Sequence, residues 1–543
     1  MLWTLISFIG FTVLVAVISW LKTKDDDQET TEGYFLAGRG LPGLVIAGSL
    51  LLTNLSAEQL VGSNGQTFAV GMSAMAFEIV AAPCCIMLAL WAAPKYLRSG
   101  ITTIPQLIGL RYDRTTKLWF SILYIVLALC VQMPVCLYSG SLVFENIFGF
   151  SKLLGITKFQ SIVILCIAIS VVGSIYAIFG GLKAVAVSDT VNGAGLLIGG
   201  LAVPFFALHA LGKAAVGGGI ADGLRYLIEN HSDLLNSVAP VASSAPAVPW
   251  PTVFTGLLFL GFQSWCTNQA YVQRVLAAKD LKEAQKGALM CATLKIIGFM
   301  YLSLPGVIVF ALFKLNGTTV SSMDDAYPTM ITQVIPTMLM GLLAAVMFGA
   351  ILSSFNSVLN SASTMFTLDL YRSAFKPDAS DVHCVKVGKI YGTIAGCISI
   401  VIAPFVMNAS GITTFLNSMS QFVSLPVLCT ILGVFMFKRL PAYTPKVITV
   451  FHVVCYGAFL LIAPCYPGTS NPIHYLYAMA VLFPVELLIM WALNKYRPAE
   501  EYVLQDVGAV DLTPWKYRHV VSIIGLILAV AIYVVFSPLG IAA

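Results

Sequence analysis

The segment SLLLTNLSAEQLVG, residues 49–62, interrupts an apolar stretch of membrane-spanning length with closely spaced polar side chains. These polar residues are Thr53, Asn54, Ser56, Glu58 and Gln59. A continuous helix with this polar density is hard to place in lipid. A discontinuous helix, whose unwound carbonyls and half-helix ends face a cavity, removes the difficulty. Hydroxyls bonded back to their own helix are the alternative, and they would account for Thr53 or Ser56 alone.

The composition of the chain predicts an integral membrane protein around this segment. Of its 543 residues, 58% are apolar and 10% are charged, with a mean hydropathy of +0.88; soluble domains are about 25% charged. The net charge of +5 is too weak and too scattered for nucleic-acid binding. The 12 cysteines form no C-x-x-C pair and the 6 histidines are isolated. We therefore expect no metal centre, no redox centre and no enzymatic site.

Apolar runs along the chain predict about fourteen membrane-spanning helices. The predicted spans are 1–21, 44–70, 72–94, 117–146, 158–179, 183–211, 250–275, 286–313, 336–368, 386–407, 412–437, 445–463, 472–494 and 518–539. With both termini outside, about 24 of the 30 Lys and Arg face the cytoplasm, including Arg274 at the start of loop 274–286. The first span lacks a basic n-region, so we expect it to be retained and not cleaved as a signal peptide.

A second polar cluster lies in GAILSSFNSVLNSASTMF, residues 349–366. At helical spacing Ser353, Ser357 and Asn360 share one face, with Ser354 at its edge. Tight helix packing in membranes also uses small residues, which is the alternative for any single serine. Together with free carbonyls from a broken helix, these side chains would supply the neutral oxygens that a hard monovalent cation requires.

Charged residues inside apolar spans form a third set of candidates. Glu78 and Lys295 fall within predicted spans, so we expect them to face a polar cavity and to offset each other's charge. A purely structural ion pair is the alternative. Asp189 ends the turn FGGLKAVAVSD, residues 179–189, that leads into the sixth span.

Six motifs follow one another along the chain. They are YFLAGRGLP (34–42), SLLLTNLSAEQLVG (49–62), ITTIPQLIGLRYD (101–113), FGGLKAVAVSD (179–189), NQAYVQRVLAAKDLKEAQKG (268–287) and AAVMFGAILSSFNSVLNSASTMFTLDLY (344–371). In this order they resemble the sodium:solute symporter family, closest to its bacterial sodium/sugar branch. The resemblance implies an all-α integral membrane fold with a five-plus-five inverted repeat, like the leucine-transporter core, that contains discontinuous helices.

The same resemblance implies a division of the chain into five parts. These are a first transmembrane helix with a cytoplasmic linker (1–43), the first repeat (44–211), an extracellular loop (212–249), the second repeat (250–437) and three peripheral C-terminal helices (438–543).

Ion sites are also implied by the resemblance. The sodium ligands would be the carbonyls of Leu52, Leu55 and Ala350 and the hydroxyls of Ser353 and Ser354. Some family members bind a second sodium ion, and the corresponding residues here are Asp189 with Ser353, Asn356 and Ser357. Asn356 departs from the family pattern, which has serine at that position.

For sugar-transporting relatives, the resemblance implies substrate contacts from Gln59, Glu78, Lys295 and one of Asn417, Ser418 and Gln421. The match fails at Gly261, where relatives have an asparagine, and at Ser264, where they have a gating tyrosine. Phe262 or Trp265 could supply the aromatic face on which a hexose stacks. Gln263 could add a hydrogen bond, and Asn54 and Asn360 are further polar candidates from the two clusters.

These implications describe a sodium-coupled symporter that imports a sugar or sugar derivative by alternating access. The alternative is a non-sugar solute, such as a carboxylate, sialic acid, a nucleoside or a vitamin. The expected partners are the solute, Na⁺ and the lipid bilayer, without nucleic acid, and the expected assembly is a monomer or loose oligomer. We expect the bacterial inner membrane as its location, with both termini in the periplasm.

Overall fold

The computed structural model describes residues 2–238, 248–408, 412–462 and 473–542, and the regular secondary structure in these ranges is helical. The helices of the first part are α1 (Leu2–Thr23), α2 (Thr31–Leu36), α3 (Gly43–Asn54), α4 (Ala57–Val70), α5 (Ala76–Met87), α6 (Ala93–Ser99), α7 (Ile104–Arg111), α8 (Arg114–Leu127), α9 (Met133–Phe148), α10 (Phe150–Leu154), α11 (Lys158–Val216) and α12 (Ile220–His231). The helices of the second part are α13 (Gly256–Thr267), α14 (Gln269–Leu276), α15 (Leu281–Ile296), α16 (Phe299–Leu302), α17 (Leu304–Asn316), α18 (Ala326–Val334), α19 (Thr337–Thr364), α20 (Asp381–Ile402), α21 (Ile412–Met436), α22 (Thr444–Ile462), α23 (Tyr475–Tyr496) and α24 (Arg518–Val535).

Within the described residues, 11 helical segments are long and apolar enough to cross a bilayer. A twelfth span results when the bent pair Gly43–Asn54 and Gln59–Val70 counts as one. Two further predicted spans correspond to shorter helices: 158–179 to Lys158–Ser174, and 250–275 to the α13–α14 pair. The chain is therefore a multi-pass membrane protein, and the count of fourteen spans stays a prediction.

The predicted discontinuity of the second span is confirmed. Helix α3 ends at Asn54 and α4 begins at Ala57, with Leu55 (φ −84°, ψ 98°) and Ser56 (φ −124°, ψ −177°) extended between them. The two halves are bent by 54°. A comparable break separates α13 from α14, where Asn268 is extended (φ −69°, ψ 126°). Two spans therefore present backbone groups that no helix satisfies.

The broken α3–α4 pair lies at the centre of the helical assembly. Helix α3 packs against α11, α15 and α19, and α4 packs against α9, α17 and α18. Helices α1 and α24 lie at the periphery, since only 17% of each of their apolar windows is buried. The exposed apolar side chains of these outer helices match a lipid environment.

The region predicted as an extracellular loop, 212–249, contains helical structure. Helix α11 continues to Val216, and α12 follows over Ile220–His231. Residues 239–247, which carry most of the Ala/Ser/Pro-rich sequence, lie outside the described residues.

Helix α11 changes direction at Gly181, which separates the predicted fifth and sixth spans. Gly181 has φ 60° and ψ −169°, a conformation that residues with a Cβ rarely adopt. A Cβ atom at this position would lie 2.9 Å from the backbone oxygen of Tyr34. Both the dihedral angles and the close approach therefore require glycine.

Gly181→Ala is expected to destabilise the protein by about 1–3 kcal/mol, because alanine is strained at these dihedral angles. The measurement is the melting temperature of the detergent-purified protein. Gly199→Ala on the same helix is the matched control, since its Cβ would lie an ordinary 3.4 Å from the Leu343 side chain. Equal melting temperatures for the two variants would contradict the assigned kink.

Candidate functional site

A cavity opens beside the α3–α4 break and is bounded mainly by α5, α13, α14, α19 and α21. Its polar lining consists of Thr53, Asn54, Gln59, Ser63, Tyr124, Gln132, Gln263, Ser264, Asn268, Tyr271, Ser354, Asn417, Ser420 and Ser424. Among the side chains that the structure describes, which leave out Glu58, none that lines the cavity is charged. The cavity thus offers hydroxyl and amide groups, which donate and accept hydrogen bonds without carrying net charge.

Most of the predicted substrate positions line this cavity. They are Gln59, Gly261, Gln263, Ser264, Trp265 and Asn417, joined by Asn54 and Ser354 from the two polar clusters. The sequence analysis missed Gln132, Asn268 and Tyr271. Asn268 and Tyr271 lie within the fifth motif, which could have indicated them as site residues. Gln132 stands alone in an apolar span, so no sequence pattern indicated it.

The break between α13 and α14 contributes directly to the cavity wall. The side chain of Asn268 accepts a hydrogen bond from the backbone nitrogen of Ala270 (2.9 Å) and so caps α14. The Asn54 amide donates to the Tyr271 hydroxyl (3.1 Å). This contact joins the two broken spans across the cavity.

Two aromatic side chains lie side by side in the cavity wall. The rings of Trp265 and Tyr271 lie 5.0 Å apart at 32°, and both residues line the cavity. Phe262, the other predicted substitute, packs instead against Trp91 at 5.4 Å. Trp265 is therefore the residue of the two that can offer an aromatic face to a solute.

The predicted sodium ligands come together where α3 ends against α19. The Ser354 hydroxyl donates to the Leu52 carbonyl oxygen at 3.3 Å. Ser353 and Ala350 are buried on the same helix, and the Ser353 hydroxyl makes no hydrogen bond of regular geometry. Leu55 is fully buried in extended backbone. Carbonyls at a helix end beside two buried hydroxyls, of which that of Ser353 has no hydrogen-bond partner, fit the chemistry of a sodium ion.

The residues predicted for a second sodium ion are only partly brought together. Asp189 accepts a hydrogen bond from the Ser49 hydroxyl (2.6 Å), while its Oδ1 and the Ser353 hydroxyl have no hydrogen-bond partner. Asn356 faces elsewhere, because a Cβ atom on Gly173 would lie 3.1 Å from its Oδ1. Asn360 is buried, and its Nδ2 has no hydrogen-bond partner.

Arg274 enters this region, although the sequence analysis assigns it to a cytoplasmic loop. Its side chain is fully buried, and its guanidinium donates to the hydroxyl of Ser357. The Ser357 hydroxyl also lies 3.2 Å from that of Thr53. The loop assignment of Arg274 was therefore wrong: the break at Asn268 places α14 inside the helical assembly, where the arginine finds hydrogen-bond acceptors.

Glu78 and Lys295 form an ion pair and do not line the cavity. Both side chains are buried, with 2% and 0% exposure. Gln59 connects the pair to the cavity, because its Nε2 donates to Glu78 Oε1 at 3.2 Å. In this conformation Glu78 and Lys295 form a purely structural ion pair, which was the alternative considered from the sequence. Gln59 is the group that a solute could reach.

Ser418 and Gln421 also lie outside the cavity, whereas Asn417 lines it. Their backbone carbonyls accept hydrogen bonds from α22: Tyr456 donates to Ser418 (3.0 Å) and His452 Nε2 to Gln421 (3.0 Å). His452 Nδ1 in turn lies 2.7 Å from the buried Glu486 carboxylate. These contacts join one face of α21 to the outer helices, while Asn417 and Ser420 on the same helix line the cavity.

Residues 34–443, most of the chain, match the sodium:solute symporter family. The chain belongs to this family. Over 540 residues it is 38% identical to the uncharacterized symporter YidK of Escherichia coli (strain K12), covering 99% of this chain and 91% of that protein. It is 30% identical to the sodium/glucose cotransporter of Vibrio parahaemolyticus, covering 79% of this chain and 80% of that one.

A solved structure has a similar fold. A Na⁺-coupled sialic acid symporter, solved in a substrate-bound outward-open state, superposes with a TM-score of 0.76 at 20% identity. The match covers 92% of this chain and 99% of that one. Family membership and relatives make this chain a transporter and not an enzyme, as predicted from the sequence.

Lys295→Met is expected to destabilise the symporter by about 3–5 kcal/mol, because it leaves the Glu78 carboxylate buried without its partner. The double variant Lys295→Met with Glu78→Gln should recover most of the lost melting temperature. Lys438→Met is the control, since the Lys438–Glu501 pair is exposed and should contribute about 0–1 kcal/mol. A double variant no more stable than the single one would argue against a charge-pairing role.

Proposed function

We propose that this symporter couples the inward movement of Na⁺ to the uptake of an uncharged sugar or sugar derivative. The observation that carries the proposal is the placement of an uncharged hydrogen-bonding cavity directly against the broken α3–α4 span. Ser354 belongs to both features, since it lines the cavity and donates to the Leu52 carbonyl. The names of relatives, which include sodium/glucose and sodium/myo-inositol cotransporters, support the same solute class.

The sodium ion would be held by three backbone carbonyls and two hydroxyls. Its ligands are Leu52, Leu55, Ala350, Ser353 and Ser354. Bound sodium would draw the end of α3 toward α19 and so fix the positions of Asn54 and Ser354 in the cavity wall. Since solute contacts the same wall, each ligand should raise the affinity for the other.

The solute would be recognised by neutral groups. Gln59, Gln263 and Asn417 can each donate and accept, which suits hydroxyl groups that do both. Trp265 and Tyr271 supply an aromatic face for the apolar side of a pyranose ring. Substituting Ser264 for the family's gating tyrosine leaves room for a solute bound differently from glucose or galactose.

A charged solute such as sialic acid is the second candidate, supported by the similarity in fold to the sialic acid symporter. A carboxylate buried in this cavity would lack a cationic partner, since Lys295 is paired with Glu78 outside it. Burying a carboxylate without such a partner carries a large desolvation penalty, and this penalty favours the uncharged solute.

Transport would proceed by alternating access between two five-helix repeats. The similar breaks at Leu55–Ser56 and Asn268 support this division, because each falls in the first span of its predicted repeat. We place the protein in a bacterial inner membrane, as a monomer or loose oligomer, with fourteen spans and periplasmic termini. A membrane potential of about −100 mV would add roughly 2.3 kcal/mol of driving force per sodium ion.

Purified protein should gain thermal stability from a neutral sugar only when sodium is present, because binding to the native state raises the melting temperature. The measurement is a panel of hexoses, inositols, sugar acids and sialic acid, each in sodium and in potassium buffer. Stabilisation by sialic acid alone would replace the neutral solute with the second candidate. The absence of any response to sodium would refute the coupling itself.

Ser354→Ala should raise the sodium concentration for half-maximal stabilisation about tenfold or more, because one of about five oxygens is lost. The measurement is a sodium titration of the melting temperature at constant ionic strength. Ser399→Ala is the control: this buried hydroxyl bonds only to its own helix, at the Ala395 carbonyl. An unchanged sodium response in Ser354→Ala would exclude this placement of the ion.

A further inference from the structure

Helix α21 contributes Asn417, Ser420 and Ser424 to the wall of the cavity. These residues follow one another at helical spacing and therefore share one face of the helix. The neighbouring face carries Ser418 and Gln421, which do not line the cavity. The contacts of this outer face therefore determine how the polar side chains of α21 are presented to a solute.

Two backbone carbonyls on the outer face of α21 accept hydrogen bonds from α22. The Tyr456 hydroxyl donates to the carbonyl of Ser418 (3.0 Å). The Nε2 atom of His452 lies 3.0 Å from the carbonyl oxygen of Gln421. Gln421 is also linked to the cavity face, because its side-chain amide donates to the Asn417 carbonyl (3.0 Å). The contact with His452 thus lies one hydrogen bond away from a residue of the cavity wall.

A proline leaves this part of α21 with incomplete helical hydrogen bonding. Pro426 lies inside the helix and has no N–H, so it cannot donate to the carbonyl of Phe422. A helix that lacks one of its own bonds depends more on neighbouring helices for its shape. The bonds from α22 act on the turn that contains Phe422.

The pair that His452 forms with Glu486 of α23 holds a shared proton. A backbone carbonyl only accepts hydrogen bonds, so Nε2 of His452 carries a hydrogen toward Gln421. On the other side of the ring, Nδ1 lies 2.7 Å from Glu486 Oε1, and a hydrogen bond of this length requires a second hydrogen between the two atoms. Whether this hydrogen belongs to the ring or to the carboxyl group, the pair has no net charge.

Burial makes the shared proton necessary for the contact. Both side chains are 0% exposed. Without the proton, the lone pair of Nδ1 would face a carboxylate oxygen away from water, which is unfavourable for both groups. Among the residues that the structure describes, His452 is the only salt-bridge partner of Glu486. Cys429 of α21 interacts with the same carboxylate, but a thiol is a weak donor and does not replace the imidazole.

We propose that His452 and Glu486 are positioning residues for the solute site. Joined by their shared proton, they fix the outer face of α21 and thereby the place of Asn417 in the cavity wall. This inference rests on the proposed solute cavity and adds a determinant of solute affinity that does not touch the solute. Sodium affinity should not depend on the pair, because the proposed sodium ligands lie on α19 and at the end of α3.

The test compares a variant that loses the pair with one that keeps its hydrogen bonds. His452→Phe combined with Glu486→Leu removes both partners, so that no buried charge is left unpaired. Phenylalanine can retain the ring contact with Tyr456, whose centroid lies 5.6 Å from that of His452. Glu486→Gln is the matched control, because its amide can donate to Nδ1 while Nε2 still donates to Gln421. If the double variant does not elute as a single species, His452→Phe with Glu486→Gln takes its place.

The first measurement is hydrogen–deuterium exchange of the purified proteins in sodium buffer without a solute. Loss of the pair should raise exchange about fivefold or more in peptides of α21 that cover residues 415–425, and should leave peptides of α19 unchanged. Glu486→Gln should exchange like the wild-type protein. Unchanged exchange in α21 would overturn the inference. An equal rise in every helix would also overturn it, because it would indicate general destabilisation.

The second measurement is a titration of the melting temperature with D-glucose and myo-inositol in saturating sodium, and with sodium alone. Without the pair, the sugar concentration for half-maximal stabilisation should rise about tenfold, while the sodium requirement stays unchanged. Glu486→Gln should match the wild-type protein in both. An unchanged sugar requirement, or a parallel change in the sodium requirement, would overturn the inference. If neither sugar stabilises the wild-type protein, these solutes are rejected for the proposed function, and the exchange of α21 alone decides the role of the pair.

Discussion

Backbone carbonyls released at the α3–α4 break must find partners inside the protein, because the hydrocarbon core of a bilayer offers no hydrogen-bond donors. Helix α19 meets this requirement by directing a serine hydroxyl at the Leu52 carbonyl. The requirement explains why a helix with an otherwise apolar sequence carries serine and asparagine on the face toward α3. It also accounts for the packing of α9, α11, α15, α17 and α19 around the broken span.

In the described part of the chain, the two cations with 0% exposure, Lys295 and Arg274, each lie near a buried carboxylate. Lys295 pairs with Glu78 at one side of the cavity, and Arg274 joins Asp189 through Ser49 at the other. The described side chains that line the cavity are uncharged. This separation leaves neutral hydrogen-bonding groups at the cavity for the solute of the proposed cycle.

Prediction from sequence succeeded where a local pattern had a local physical cause. Five polar residues crowded into the second span predicted its break, because a continuous lipid-facing helix cannot accommodate them. Helical periodicity grouped the polar residues of the ninth span on one face, and the motifs identified the family. The resemblance to that family set Ser354 against the broken span, where it donates to the Leu52 carbonyl. The same reasoning failed for Arg274, since a charge at the edge of an apolar run resembles a cytoplasmic loop residue until the break at Asn268 is known.

The amino-acid sequence by itself determined that this chain is a multi-pass symporter with a discontinuous helix, because hydropathy, polar crowding and motif order are properties of neighbouring residues. Tertiary structure alone decided which polar groups share the cavity. Gln132 and Tyr271 line it, whereas Glu78, Lys295 and Gln421 do not. Contacts between helices that are distant in sequence decide which polar groups line the cavity. A buried charge or amide faces the hydrogen-bonding partner that the packing provides, and helical periodicity contains no information about that partner.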